Sequence, residues 1–348
     1  MSYDKEKILG EFRKGSHGSF QTNLKGDYLL NLSILGCGRW GSFLGWYACR
    51  LGHRGLLWGR DHSATYEALA KRRANEYLQL PESLVLTSSL QEALDFADQI
   101  IISIPAQNLR DLGKNLAVYN LKEKTFILCM KGLEAASGKR LSQVLSEEIG
   151  PSAGIAVWVG PGHVQEFLRG VPNCMVVGSE EIGTTKKVAD LFSSDLIRFY
   201  YGQDLIGNEI GAASKNMVGL AAGMLDGLGY NSLKGALMAR GSREISRLVR
   251  TMGGNELTVY GLCHLGDYEA TLFSPFSHNR RFGELWVSGK KFDKLAEGVS
   301  TLQALRVLSS RHEVALPIAD ALYATIFEGK NPKEALLGLF MRSTKFEF

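Results

Sequence analysis

The segment that most constrains the fold is a glycine-rich turn between an apolar strand and a helix. Residues Tyr28–Leu35 predict a buried strand, and Gly36-Cys-Gly-Arg-Trp-Gly41 follows it directly at the start of a predicted helix. In this order, Gly36, Gly38 and Gly41 permit a tight turn, approach of the backbone to a pyrophosphate, and close packing of helix on strand. The amide groups at the helix N-terminus favour the anionic phosphates. The segment therefore predicts a dinucleotide-binding βαβ unit.

Short apolar runs alternate with amphipathic segments after the glycine turn. Strands that are apolar throughout and separated by helices are typical of a parallel sheet covered on both faces. The predicted helices of this part include Ser42–Leu51 and Ser63–Arg73. The further predicted strands are Gly55–Trp58, Gln99–Ile104, Thr125–Met130, Ile155–Val159 and a strand near Cys174–Val177. These segments predict a Rossmann-like α/β domain over residues 28–203.

The pattern of the chain changes near residue 203. Beyond it, apolar residues recur at three- and four-residue spacing, which predicts one helix after another. The predicted helices are a segment around Lys215, Ser232–Met252, Leu295–Ser309, Ile318–Glu328 and Pro332–Met341. We therefore expect an all-helical C-terminal domain over residues 204–348. A polar N-terminal extension over residues 1–27 precedes the Rossmann-like domain, and no function is assigned to it.

Composition and charge argue against several classes of function. The net charge of +4 is small and no Lys/Arg tract is present, so we expect no nucleic-acid partner. No apolar run is long enough to span a bilayer, and the N-terminus lacks the apolar region of a signal peptide. The five cysteines form no CxxC pair and no Cys/His cluster at metal spacing. We therefore expect a cytoplasmic protein with no membrane span, no disulfide framework and no metal.

Lys215 lies in a run of small and apolar residues, Gly211–Gly223. Small residues at this density allow helices to pack closely, so its ammonium group is expected in a crowded interior. A charge there is costly unless it meets a partner or a substrate, and burial moves the pKa of a lysine toward the range in which it exchanges protons. From this segment alone, a surface lysine on an alanine-rich helix is an equal alternative. The dinucleotide motif favours the catalytic interpretation.

The second predicted strand leads into Leu57-Trp-Gly-Arg-Asp61, where the ribose 2′ position of a dinucleotide is recognised. Arg60 could pair with a 2′-phosphate, whereas Asp61 could bind a free ribose hydroxyl. Asp61 also suits the N-cap of the next helix, and we expect it in that role. NADPH is therefore favoured over NADH as the cofactor, and NADH remains an alternative.

A series of short motifs in a fixed order resembles the bacterial-type NAD(P)-dependent glycerol-3-phosphate dehydrogenases, from about residue 28 to the end of the chain. After the glycine turn, the motifs are Ile104-Pro-Ala-Gln107, Lys131-Gly-Leu-Glu134, Gly160-Pro161 with Glu166, Ile206-Gly-Asn-Glu209, Lys215-Asn216, Arg240-Gly241, Leu265-Gly-Asp267, Ser277-His-Asn-Arg-Arg-Phe-Gly283, Ala296-Glu-Gly298 and Leu316-Pro-Ile318. The resemblance implies reversible reduction of dihydroxyacetone phosphate to sn-glycerol 3-phosphate, which supplies phospholipid synthesis. It also implies a homodimer.

The resemblance assigns roles to individual residues. Lys215 matches the catalytic lysine, which would stabilise negative charge on the carbonyl oxygen and supply the proton. Lys131 matches a second lysine, which would help Lys215 lose its proton. Asp267 could orient Lys215 or bind a substrate hydroxyl, and its alternative is a helix cap. The other residues expected at the substrate are Gly160, Gly162, Asn216, Thr271, Ser277, His278 and Asn279. The residues expected at the cofactor are Gly36, Gly38, Arg39, Trp40, Gly41, Arg60, Lys131, Val164, His278 and Glu297.

Two departures from the family pattern bear on the site. His278 stands where the family usually has an arginine, and a histidine of pKa near 6.5 is only partly charged at neutral pH. We therefore expect weaker phosphate binding that improves as the pH falls, with Arg280 and Arg281 as candidates to compensate. Gly162-His163-Val164 replaces a Ser/Thr-Phe-Ala pattern, and we expect His163 behind the site or at the surface.

Two other functions remain open. A related two-domain dehydrogenase for a 3-hydroxy acid or a keto acid would place a carboxylate near residues 277–281, and His278 is compatible with that choice. A non-catalytic nucleotide-binding sensor would have little reason to keep Lys215, Lys131 and Asp267 together.

Overall fold

The computed structural model describes residues 29–344, 346 and 347. The predicted extension over residues 1–27 and the first residue of the predicted strand, Tyr28, lie outside this range. From Asn31 onward the chain forms one compact unit, in which an eight-stranded sheet is followed by a mainly helical part.

The sheet has the strand order β3-β2-β1-β4-β5-β6-β7-β8. The strands are β1 (Asn31–Leu35), β2 (Arg54–Trp58), β3 (Val85–Thr87), β4 (Gln99–Ile102), β5 (Thr125–Leu128), β6 (Gly154–Val159), β7 (Asn173–Ser179) and β8 (Ile197–Gly202). Neighbouring strands are parallel from β3 through to β6, and β7 pairs with β8 in parallel. Only the pair β6–β7 is antiparallel among the pairs of this sheet. The predicted parallel sheet is therefore confirmed over six strands and is reversed over the last two.

The reversal at β7 follows from the short connection over residues 160–172. Its helix, Val164–Leu168, has 5 residues and rises only about 7.5 Å. β6 has 6 residues and extends over roughly 20 Å. A parallel return would need a helix long enough to carry the chain back along the sheet. Here the chain instead turns at the edge of a cleft and re-enters the sheet in the opposite direction.

Helices cover both faces of the sheet, and each face has its own apolar core. The helices between strands are α1 (Arg39–Arg50), α2 (Ala64–Arg72), α3 (Leu90–Phe96), α4 (Leu109–Leu116), α5 (Leu141–Ile149), α6 (Val164–Leu168) and α7 (Ile182–Phe192). The central strands are buried on both faces, so their sequences are apolar throughout. The prediction missed β3, which has 3 residues, and β8, whose side chains are partly exposed.

The remaining helices pack around one long central helix. They are α8 (Leu205–Gly227), α9 (Lys234–Thr251), α10 (His278–Val287), α11 (Glu297–Arg311), α12 (Pro317–Phe327) and α13 (Pro332–Phe340). α8 is buried along nearly its whole length, and a Cβ atom on Gly223 would lie 1.8 Å from the carbonyl oxygen of Arg280. Glycine at this position thus lets α10 pack directly against α8. The predicted helices are confirmed to within two residues at most ends, whereas α10 was missed.

The proposed domain boundary at residues 203–204 falls in the turn between β8 and α8. It stays a prediction, because residues 31–348 cluster as a single unit. Among the described residues, no helix combines the length and the apolar character needed to cross a membrane. All five cysteines are free thiols.

Candidate active site

A cleft of about 390 Å³ opens where the carboxyl ends of β1, β4 and β5 meet α8 and α10. The chain leaves β1 toward β2 on one side and returns to β4 on the other, and open α/β sheets bind ligands at such a point. The predicted site residues that line this cleft are Gly38, Arg39, Trp40, Lys131, Gly162, Val164, Lys215, Asn216, Asp267, Thr271, Ser277, His278, Asn279 and Glu297. The fold thus brings residues from both halves of the chain to one cavity.

Four predicted site residues do not line the cleft. Gly36 and Gly41 form the inner side of the glycine turn. The carbonyl oxygen of Gly160 accepts a hydrogen bond from Lys131 Nζ at 2.5 Å, so this residue positions a site lysine. Arg60 is exposed beyond the end of β2.

The glycine turn has the shape that a bound pyrophosphate requires. Gly36 has a φ of 118°, and a Cβ atom there would lie 2.1 Å from the carbonyl oxygen of Ser103. A Cβ atom on Gly41 would lie 1.8 Å from the carbonyl oxygen of Gly36. Only a glycine at this position therefore lets α1 pack so closely against the turn. Gly38 is the N-cap of α1, and a Cβ atom there would meet no atom within 4 Å. The helix N-terminus therefore faces open space in the cleft, as binding of a dinucleotide phosphate requires.

The residues after β2 correct one prediction. Asp61 is not the N-cap of α2, because Ser63 takes that place and accepts a hydrogen bond from the Tyr66 amide at 3.2 Å. Asp61 accepts from the amide of His62 at 3.1 Å instead. The chain makes an additional turn before the helix, which the sequence pattern did not indicate. Arg60 lies near the glycine turn, where its charge opposes the rise that burial causes in the pKa of the Cys37 thiol.

Two lysines share one buried carboxylate at the centre of the cleft. Asp267 Oδ2 lies 2.8 Å from Lys215 Nζ and 2.7 Å from Lys131 Nζ, although the three residues come from α8, the end of β5 and a 3₁₀ turn. The Lys215 ammonium also donates to Thr271 Oγ1 at 2.7 Å, and that hydroxyl donates to the Asp267 carbonyl oxygen at 2.7 Å. The predicted orienting role of Asp267 thus has a direct geometric basis.

Burial lowers the pKa of Lys215 to about 8. The side chain is almost fully buried, and the loss of hydration that disfavours its charge is the main cause. The negative charge of Asp267 opposes this shift, and the positive charge of Lys131 adds to it. Lys215 is therefore mostly protonated at pH 7 but can lose its proton in the mildly alkaline range, which suits a group that exchanges protons with a ligand.

A buried histidine and tyrosine hold the turn that carries Asp267, and sequence reasoning missed both. His264 Nδ1 lies 2.7 Å from the carbonyl oxygen of Gly211 on α8, and Nε2 lies 2.6 Å from the Tyr268 hydroxyl. Burial lowers the pKa of His264 to about 4, so the ring is neutral. A carbonyl oxygen only accepts, so Nδ1 carries the proton and Nε2 accepts from the tyrosine. The sequence did contain a signal for this pair, because His264 and Tyr268 are four residues apart and lie on either side of Asp267.

A chain of amide groups links the lysines to α10 and α11. Asn216 donates to the carbonyl oxygen of Lys131 at 2.9 Å and accepts from Asn279 at 3.0 Å. Asn279 in turn accepts from the Gly298 amide at 2.9 Å. The neighbouring Glu297 accepts from the amide of Ala106 at 3.0 Å, which ties α11 to the loop after β4. These contacts fix residues from five segments with respect to one another.

The two arginines expected to compensate for His278 form ion pairs with carboxylates instead. Arg280 pairs with Asp226 at 2.6 Å, and Arg281 pairs with Glu284 at 3.0 Å, so neither guanidinium lines the cleft. His278 Nδ1 lies 3.2 Å from the carbonyl oxygen of Leu295 and therefore donates to it. Burial lowers the pKa of His278, and the charge of Arg39 adds to this shift. In its neutral form, the remaining ring nitrogen can only accept a hydrogen bond.

His163 is neither behind the site nor at the surface, as the sequence suggested, but on the wall of the cleft. It precedes α6 directly, and its carbonyl oxygen accepts from the amides of Glu166 and Phe167. The sequence could not place it because the turn over residues 160–163 is defined by packing rather than by a local pattern.

Comparison with known proteins gives a consistent result over the whole described fold. The family model described as NAD-dependent glycerol-3-phosphate dehydrogenase N-terminus matches residues 31–185, and the corresponding C-terminus model matches residues 204–337. A glycerol-3-phosphate dehydrogenase (NAD(P)+) of Thermoanaerobacter is 35% identical over 330 residues, which cover 91% of this chain and 99% of the relative. Its counterpart in Clostridium botulinum is 36% identical over 328 residues, covering 91% and 98%. The crystal structure of glycerol-3-phosphate dehydrogenase from Coxiella burnetii superposes with a TM-score of 0.83 at 26% identity, covering 90% and 99%.

Proposed function

The chain belongs to the family of NAD-dependent glycerol-3-phosphate dehydrogenases, and we propose that it reduces dihydroxyacetone phosphate reversibly to sn-glycerol 3-phosphate with Lys215 as the general acid and base. The observation that carries this proposal is the sharing of Asp267 by Lys215 and Lys131 in a cleft that begins at a dinucleotide turn. Both lysines line the cleft, which a purely structural centre would not require.

The Lys215 ammonium is placed to protonate a carbonyl oxygen. Two of its donors face Asp267 and Thr271, and the third has no partner among residues 29–344. A nicotinamide cofactor bound in the cleft would supply the hydride to the carbonyl carbon. As negative charge grows on the oxygen, Lys215 stabilises that charge and then transfers its proton. In the reverse direction, the neutral amine removes the hydroxyl proton.

The start of α10 is the proposed anchor for the substrate phosphate. Ser277 is the N-cap of this helix, and it lines the cleft together with His278 and Asn279. A helix N-terminus offers free amide donors and a positive dipole end to an anion. Lys131 adds a positive charge to the same cleft.

We propose NADPH as the preferred cofactor, with Arg60 and Arg39 near the ribose of the adenosine half. Arg60 is exposed and lies close to the glycine turn, and Arg39 is the first residue of α1. The test is the ratio of kcat/KM with NADPH to that with NADH. A ratio of one or less would refute the preference without affecting the reaction.

The family resemblance further supports a homodimer that works in the cytoplasm and supplies phospholipid synthesis. Five free thiols agree with a reducing compartment. Sedimentation of the purified chain would test the homodimer directly.

The reaction is tested by the loss of NADPH absorbance with dihydroxyacetone phosphate as the substrate. We expect rapid oxidation with this substrate and little with 2-keto acids at the same NADPH concentration. Faster turnover of a keto acid would instead support the related dehydrogenases that act on carboxylates. Tight NADPH binding without turnover of either class would indicate a nucleotide sensor.

A further inference from the structure

One wall of the cleft carries an imidazole with one ring nitrogen that has no hydrogen-bond partner among the described residues. His163 Nε2 is shielded from solvent and has no hydrogen-bond partner among the described residues, although the side chain lines the cleft. A buried polar atom without a partner lowers the stability of a protein, so native structures contain few of them. His163 therefore calls for a ligand that completes its hydrogen bonding.

The position of this imidazole is fixed by its neighbours. Gly162 before it has a φ of 146°, and a Cβ atom on Gly162 would lie 2.3 Å from the ring of Phe167. The His163 ring meets the ring of Phe276 edge to face at 5.6 Å between centroids. The last torsion of a histidine side chain is soft and roughly two-fold, so rotation about it can present either ring nitrogen to the cleft.

The charges around the ring determine which ligand group it can bind. Burial lowers the pKa of His163 to about 4, and the positive charges of Lys215, Arg39 and Lys131 add to the shift while Asp267 opposes it. The ring is therefore neutral at pH 7 and offers one donor and one acceptor. A hydroxyl group, which both donates and accepts, satisfies such a ring in either tautomer. The neutral ring adds no charge for a phosphate.

The proposed substrate has one polar group that neither Lys215 nor the start of α10 takes, and Asp267 Oδ1 in the same cleft also has no hydrogen-bond partner among the described residues. The substrate's carbonyl oxygen is assigned to Lys215 and its phosphate to the start of α10, which leaves the terminal hydroxyl on the far side of the reacting carbon. His163 lines the same cleft as Lys215 and Lys131, so it can reach this hydroxyl. We infer that His163 hydrogen-bonds the terminal hydroxyl of dihydroxyacetone phosphate and selects for it, an inference that rests on the function proposed above.

The test pairs a change in the protein with a change in the substrate. Hydroxyacetone phosphate is the same molecule with a methyl group in place of the hydroxymethyl group, so it cannot make this contact. The quantity to measure is kcat/KM for dihydroxyacetone phosphate divided by kcat/KM for hydroxyacetone phosphate, in wild type and in His163→Phe. We expect the ratio to fall by roughly 2- to 10-fold in the variant, the effect of one neutral hydrogen bond.

Two further variants separate binding from packing. His163→Gln keeps a donor and an acceptor at similar reach, so it should restore much of the ratio. His312→Gln is the matched control, because this histidine is the C-cap of α11, whose first residue, Glu297, lies at the cleft. The 15 residues of α11 place it about 22 Å away along the helix, so its ratio should equal that of wild type.

The outcomes distinguish this inference from the proposed function. If wild type reduces dihydroxyacetone phosphate and His163→Phe leaves the ratio unchanged, the inference is overturned and the reaction stands. An equal loss for both substrates would also overturn it, since that result indicates packing. If wild type reduces neither substrate, the proposed function fails first.

Discussion

Lys215 and Lys234 are both buried lysines of the helical half, and each is paired with an aspartate. The Nζ atom of Lys215 lies 2.8 Å from Asp267, and that of Lys234 lies 2.5 Å from Asp226. Each aspartate also binds a second cation. The two centres are therefore alike in composition, and their difference lies in the remaining contacts.

The Lys234 centre is closed. Its ammonium also donates to the carbonyl oxygen of Leu272 at 3.2 Å and lies 5.0 Å from the centre of the Phe273 ring. The second cation, Arg280, has another carboxylate, Glu284, at 3.6 Å. Two carboxylates, Asp226 and Glu284, thus serve the buried Lys234, the half-buried Arg280 and the exposed Arg281, as expected for a centre that holds helices together.

The Lys215 centre is open. One carboxylate serves two lysines, one donor of Lys215 has no partner among the described residues, and the group lines the cleft. The comparison shows that burial alone does not identify a catalytic lysine. A free donor that faces a cavity, beside a second lysine on the same carboxylate, distinguishes it from a structural one.

The largest expected effect is the loss of activity in Lys215→Met. Removal of a general acid lowers kcat by roughly a thousandfold. The free energy of unfolding should stay within about 1 kcal/mol of wild type, because burial already disfavours the charge of Lys215 and Lys131 still pairs with Asp267. NADPH oxidation and urea denaturation measure the two quantities. A large loss of stability with kcat retained would reverse the assignment of the two lysines.

Lys234→Met should give the opposite pattern. It leaves Asp226 with one cation fewer and removes a buried contact, so the free energy of unfolding should fall by about 3 kcal/mol. The kcat of the folded enzyme should remain within a few-fold of wild type. Urea denaturation measures the free energy of unfolding. A separate assay of NADPH oxidation at low temperature measures the kcat of the folded variant. If kcat fell a hundredfold in folded protein, the second centre could not be called structural.

Lys131→Met should change both rate and pH dependence. The loss of a charged contact should lower kcat/KM for dihydroxyacetone phosphate by roughly 10- to 100-fold. In wild type, reduction needs protonated Lys215. The kcat for reduction should therefore be constant below pH 8 and fall above it. Because Lys131 lowers the pKa of Lys215, its removal should move this decline to higher pH. Lys131→Arg, which keeps the charge, is the control and should retain the wild-type profile.

The smallest expected effect is a gain in His278→Arg. Histidine at this position is neutral at pH 7 because burial lowers its pKa, so it gives the phosphate no charge. An arginine should lower KM for dihydroxyacetone phosphate by roughly tenfold at pH 7. In wild type, KM should improve only below about pH 6.5, whereas the variant should be insensitive to pH there. A KM equal to that of wild type at pH 7 would place the phosphate elsewhere.

The sequence was sufficient for features that depend on local pattern. The glycine turn and most helices follow from spacing and residue size, whereas the small residues around Lys215 left a surface position equally open. It was insufficient for contacts between distant segments, such as that of Lys131 with Asp267, which are 136 residues apart. The reversal at β7 depends on the length of α6, and the different partners of Lys215 and Lys234 depend on helix packing. The site roles inferred from resemblance stay predictions until they are measured.

The most direct test of the account is the pKa of Lys215 in the folded enzyme. It can be followed by NMR of protein with labelled lysine side chains, with the signal assigned by its loss in Lys215→Met. The account predicts a pKa near 8, which rises when Lys131 is replaced by methionine. A pKa near the ordinary lysine value of about 10.4 would contradict it, because Lys215 would then be a charged anchor and not the group that exchanges the proton.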